Sequence, residues 1–173
     1  RFQFCDPGEY TTWNPLSVFS ANGKSDDLNA LAISPYREIL LVGEDSVEQY
    51  DTLANGNQPF SRRWTSGAGV YAPYTLVTDQ SGTYCVNKRL EFTRFAGQVM
   101  EDQSADVNLV LQRVDDWTDA WAQECSIKGQ KFIVLQMPMA TNAYGSKGIT
   151  LVLDYRAKMW SFLYGWDDAR KLP

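Results

Sequence analysis

Hydrophobic and polar residues alternate along this chain in short bursts, each closed by turn-forming residues. Leu28–Ile33 alternates as a largely buried strand, Pro35-Tyr36-Arg37-Glu38 follows as a turn, and Ile39–Val42 is a short aliphatic run stopped by Gly43. Ser46–Tyr50 alternates again, Leu53–Pro59 is rich in breakers, and Phe60–Trp64 makes a fourth strand. The cycle restarts at Pro73–Thr78, Thr83–Val86 and Leu90–Phe95. It restarts a third time at Trp121–Ile127, where Trp121, Cys125 and Ile127 face one way and Ala122, Glu124 and Ser126 the other. Lys128-Gly129 turns the chain into Lys131–Met137, Pro138–Gly148 is a polar loop, and Ile149–Tyr155 and Met159–Tyr164 complete the set.

Val42, Val86 and Val134 occupy the second strands of successive sets and lie 44 and 48 residues apart. Four short strands per 40–50 residues is the rhythm of propeller blades, although evenly spaced strands alone would also fit a sandwich. The pattern therefore predicts an all-β fold of about three four-stranded antiparallel propeller-like blades, a partial β-propeller, with one short helix inserted. The blade-like units fall at about 27–66, 73–114 and 119–165 of a single 1–173 fragment. Val107, Val110, Leu111 and Val114, spaced for a helix behind Ser104 as N-cap, predict that helix over a sheet edge or in place of an outer strand. Leu31, Ile33, Leu40, Val42, Leu76, Val86, Ile133, Leu135, Leu151 and Leu153 are the expected core. An opening at Arg1-Phe2-Gln3-Phe4, already strand-like, gives the expectation of a piece cut from a longer polypeptide.

Composition narrows the chemistry. The 173 residues include no histidine, which removes histidine metal ligands, Ser–His and Cys–His dyads and the commonest general base. Sixteen basic against twenty-one acidic residues leave a net charge of −5, unfavourable for general attraction to phosphate backbones. Cys5, Cys85 and Cys125 are far apart and form no CxxC pair, and no apolar run reaches the roughly 18 residues of a membrane span. Gly23-Lys24-Ser25 resembles the end of a phosphate loop, but Val18 stands where the first glycine is needed. Ser66 in Thr65–Gly69 lacks the flanking glycine of a nucleophile elbow as well as a histidine. The acidic pairs Asp26-Asp27, Glu44-Asp45, Asp115-Asp116 and Asp167-Asp168 read as solvated turn residues without calcium-loop spacing. We therefore expect no catalytic residue, no cofactor and no metal. Arg62-Arg63 and Lys88-Arg89 with Arg94 are the basic clusters, either charge guarding strand edges or contacts to an acidic partner or passing DNA. Six tryptophans, Trp13, Trp64, Trp117, Trp121, Trp160 and Trp166, exceed the needs of one small core and are candidate anchors between blades or subunits.

Several stretches carry a resemblance. Thr12-Trp13, Asp26-Asp27-Leu28 with Ala30-Leu31, and Gly43 with Ser46-Val47-Glu48 come first. Pro59-Phe60-Ser61-Arg62 and Gly69 with Ala72-Pro73-Tyr74 come next. Gly129, Phe132, Val134, Leu135 and Pro138 follow, then Thr150, Leu151, Val152, Asp154 and Trp160. In this order they resemble the packaged-DNA stabilisation or tail-hub proteins of short-tailed bacteriophages and their prophages. Gly129-Gln130 departs from the family's Gly-His, and Val86-Asn87-Lys88-Arg89 from its Gly-Arg-Asp.

The resemblance implies a non-enzymatic virion structural protein, assembled in the bacterial host cytoplasm. It would be a head–tail connector or tail-hub component that helps to seal and stabilise packaged DNA. Its implied partners are other phage tail and portal proteins and further copies of itself. No membrane and no sequence-specific nucleic acid is expected, beyond passive contact with packaged DNA. Two other readings stand beside it. One is a host-surface glycan-binding or glycan-cleaving propeller, with Tyr71, Tyr74 and Trp64 stacking on sugars near an acid. The other is an aromatic and arginine platform for single-stranded nucleic acid.

Overall fold

A computed structural model describes residues 2–5, 10–19, 23–24, 26–52, 59–154 and 156–163, the side chains of Phe2 and Phe19 excepted. Strands β1 (Phe2–Gln3) and β2 (Val18–Phe19) pair as a small ribbon. The first four-stranded antiparallel sheet is β3 (Leu28–Ile33), β4 (Ile39–Gly43), β5 (Val47–Thr52) and β6 (Phe60–Ser66), in chain order across the sheet. The second is β7 (Val77–Asp79), β8 (Gly82–Val86), β9 (Phe92–Ala96) and β10 (Val99–Asp102). A four-residue helix α1 (Asn108–Leu111) leads to the third, β11 (Trp121–Ile127), β12 (Gln130–Thr141), β13 (Lys147–Asp154) and β14 (Met159–Phe162). The fold is mostly β, three four-stranded blades with one short helix, and the ring is not closed.

The blades stack face to face because each sheet is apolar on the side that meets its neighbour. Leu40, Val42 and Val47 of the first sheet pack against Cys85 and Phe95 of the second, with Val70 from the connection between them. Tyr84, Val86 and Phe92, on the opposite face of the second sheet, pack against Ile133, Leu135, Met137, Leu151 and Leu153 of the third. The inner strands β3, β7 and β11 are neighbours, as blades arranged around an axis require. Where these strands converge there is little room.

That convergence corrects two of the expected core positions. Ala30 and Ala32 turn toward the second sheet, whereas Leu31 and Ile33, opposite Leu41 and Ile39, face outward and are 54% and 59% exposed. Pattern favoured the larger side chains; geometry near the axis selects the smaller ones. Leu76 is half-buried, and Leu40, Val42, Val86, Ile133, Leu135, Leu151 and Leu153 are buried. The expected helix from Ser104 contracts to α1, although Val107, Leu111 and Val114 are buried as its periodicity demands. Ser104 caps no helix through its side chain: its hydroxyl donates to Asp102 and accepts the N–H of Phe92. The second blade's outer strand is β10 and not that helix. Strand β12 continues through Pro138, expected in a loop, where the ladder to β13 shifts register and so does not need the missing donor.

Candidate interaction site

No group of three Cys, Asp or Glu side chains is placed to hold a metal ion among the described residues. The motifs weighed for chemistry are engaged in structure. The Gly23 N–H donates to the Glu48 carboxylate, and Ser66 forms a local turn with Ala68. Asp26 accepts the Asp45 N–H and the Ser46 hydroxyl, Asp115 binds the N–H and hydroxyl of Thr141, and Asp116 binds those of Thr118. Asp167-Asp168 lies outside the described residues. Burial of Asp26 opposes its ionisation, yet the donors from Asp45 and Ser46 prevail and hold its carboxyl below the ordinary range.

Each residue of the basic clusters is paired with acid. Arg62 meets Glu48, Arg63 meets Glu38 and Asp51, Lys88 bridges Glu44 and Asp45 across the first and second blades, Arg89 meets Glu91, and Arg94 meets Glu101. Glu48 is buried and also accepts the Tyr50 hydroxyl, so Arg62 completes a network beneath the N-terminal segment. Of these, Lys88 links two blades, whereas the four arginines pair within their own blade, and Arg63 and Arg89 stay largely exposed.

The tryptophans divide by depth. Trp64 is half-buried between the first and second blades, and Trp117 is buried edge-on to Tyr71. Trp160 packs edge-on to Phe92 between the second and third blades and donates its indole N–H to the Gln103 carbonyl. Trp13 is exposed on the N-terminal segment, and Trp166 lies outside the described residues. Trp121 stands on the outer face of the third sheet.

That outer face is apolar and only partly covered. The register places Trp121 and Cys125 of β11, Phe132 and Val134 of β12 and Val152 of β13 on it, all half-buried and outside every core cluster. On the opposite side of the third sheet Ile133, Leu135 and Leu153 are fully covered. At the other end of the arc, Leu41, Tyr50 and Phe60 are covered with help from Phe4, while Leu31 and Ile33 remain bare. The arc thus ends on two sheet faces, each partly covered.

One cleft also lies between blades. It measures about 490 Å³ and is lined by Tyr71, Tyr74, Leu90, Asp115, Asp116 and Trp117, with Tyr74 exposed. Trp64 is not part of it. Hydrogen bonds from Thr141 and from Thr118 hold the carboxyls of Asp115 and Asp116 respectively below the ordinary range. Neither suits the protonated acid that glycoside cleavage needs.

No protein-family model and no curated protein matches the chain.

Proposed function

We propose that the chain is a non-enzymatic structural module of a bacteriophage virion, a head–tail connector or tail-hub component whose end blades assemble through their faces with other copies and with tail and portal proteins. The observation that carries this reading is the half-buried apolar outer face of the third sheet, with Phe132, Val134 and Val152 on its two central strands and outside every core cluster. A propeller interior buries that face against the next blade, and closure takes about four to eight blades where this chain supplies three. An apolar sheet face only partly covered at the end of an arc is a surface for adhesion. The absence of histidine and the engagement of Asp26, Asp115 and Asp116 in local hydrogen bonds support a role without chemistry. The test is DNA retention: particles assembled without the chain are expected to release their genome on mild heating, read as nuclease-sensitive DNA. Particles that keep it would overturn the role.

The Tyr71–Tyr74–Trp117 cleft favours one second reading, a glycan-binding tail module. Ionised Asp115 and Asp116 would accept bonds from sugar hydroxyls beside the Tyr74 ring, so binding without cleavage is the form it takes. A glycan array separates the readings, with Tyr74→Ala expected to abolish any signal.

A further inference from the structure

Consecutive strands in each sheet alternate in direction, so the first and third turns of a blade point to the same end. The ends match between blades. Ser34, Pro35 and Tyr36 at the β3–β4 turn share a small hollow with Gly97 at the β9–β10 turn. Asp79, at the β7–β8 turn, acts electrostatically on Lys131, just beyond the β11–β12 turn. The β3–β4, β11–β12 and β13–β14 turns therefore crown one end of the arc.

Each of these three turns carries an apolar residue next to a cation: Tyr36-Arg37, Ile127-Lys128 and Lys158-Met159. The apolar members are 64%, 61% and 63% exposed. The cations are exposed as well, and none joins an ion pair among the described residues, unlike Arg62, Arg63, Lys88, Arg89 and Arg94. All three also hold a left-handed backbone, with φ of 64°, 52° and 54°. That region favours glycine or asparagine, and the β12–β13 turn at the opposite end places Gly145 there, φ 76°. Among the described residues Leu90 is the only other non-glycine residue so placed. Three cations thus occupy strained turn positions, where they join no ion pair among the described residues.

We propose that this end of the arc docks on an anionic phospholipid surface. Tyr36, Ile127 and Met159 enter the boundary between headgroups and acyl chains, and Arg37, Lys128 and Lys158, with the exposed Arg156 beside them, meet the lipid phosphates. A nucleic-acid backbone takes cations but offers no place for exposed Ile and Met. A protein partner wants about 800 Å² of continuous surface, whereas these doublets sit on the tips of three separate turns. A headgroup layer accepts both members of each doublet and adapts to separate tips. The lack of a long apolar run bears on crossing a bilayer and not on resting against one, and the inference stands apart from the assembly role.

The experiment is co-sedimentation of the chain with phosphatidylcholine vesicles, with and without phosphatidylglycerol, at low and high salt. Binding is expected to the anionic vesicles alone and to fall with salt. The triple variant Arg37→Asn, Lys128→Asn, Lys158→Asn should bind roughly 100-fold more weakly, from about fivefold per cation. Its melting temperature should not fall, because asparagine tolerates the left-handed region. Failure of the native chain to bind anionic vesicles, or equal binding by the triple variant, would overturn the proposal. So would unbound vesicles together with a DNA duplex complex, or a salt-sensitive dimer, that the triple variant abolishes.

Discussion

Leu31 and Leu135 offer a matched test of how the sheets face one another. Both are leucines inside strands, but Leu135 is 0% exposed between the second and third blades while Leu31 looks outward. Truncating Leu135 to Ala removes three carbons from a closed interface, about 2.4 kcal/mol at about 0.8 kcal/mol per buried methylene. Partial collapse around a residual cavity of roughly 50 Å³ adds about 1 kcal/mol, so Leu135→Ala should cost about 3.5 kcal/mol. Leu31→Ala should cost no more than about 0.5 kcal/mol, the usual range for an exposed site. Urea unfolding followed by tryptophan fluorescence measures both, with unchanged slopes confirming that only the native state differs. In a chain of this size the first change lowers the melting temperature by roughly 7–14 °C and the second barely moves it. Equal losses at the two sites would refute the assignment of faces and with it the stacking of blades.

Other consequences follow from single contacts. A Cβ on Gly69 would lie 2.2 Å from the Gly43 carbonyl oxygen and 2.5 Å from the Glu44 backbone carbon, so Gly69→Ala should cost more than about 2 kcal/mol in thermal or urea unfolding. Full burial pushes the Cys85 thiol up to about 12, against a weak opposing bond from Thr93, so native Cys85 should resist Ellman's reagent until the chain unfolds. Asp26 has a depressed folded pKa, so its contribution is present above the unfolded value near 3.8 and disappears as pH falls through the folded one. Asp26→Asn should therefore flatten the acid limb of urea midpoints measured down to pH 3, and an unchanged limb would exclude Asp26 from it. Trp160→Phe leaves the Gln103 carbonyl without its indole donor and should cost about 1–2 kcal/mol by the same unfolding assay.

The blade rhythm was legible in the sequence because strands half-buried against neighbours alternate, and turns between them need recognisable residues. Hairpins such as Lys128-Gly129, with both residues at positive φ, announce themselves. Strand β10 did not, since Val99-Met100-Glu101-Asp102 has one strong strand former and is held by pairing with β9, including Arg94–Glu101. The helix was overread because valines and polar residues with poor helical preference sustain only one turn, even though the spaced apolar positions do face the core. For β3 the period was visible but the phase was not, because hydrophobicity ranks Leu31 above Ala30 and only the converging inner strands reverse that choice.

Charge shows the same limit. Adjacent arginines drew attention, yet Arg62 and Arg63 are absorbed by Glu48, Glu38 and Asp51, partners up to 25 residues distant in the chain. Arg37, Lys128 and Lys158, which join no ion pair among the described residues, are isolated in sequence, and only the alternation of turns brings them to one end. The apolar surface of the third sheet was likewise hidden. Val134 and Leu135 are adjacent and similar, and Leu135 is fully covered because the second blade packs on its side of the sheet.

The central claim is that the apolar outer face of the third sheet is built to be covered by another copy, and light scattering across a concentration series tests it most directly. The native chain is expected to show a mass above one copy that Val134→Glu reduces to one, with the melting temperature of the variant little changed. A native chain that stays at one copy to the highest soluble concentration, or a variant that associates as well as the native chain, would contradict it.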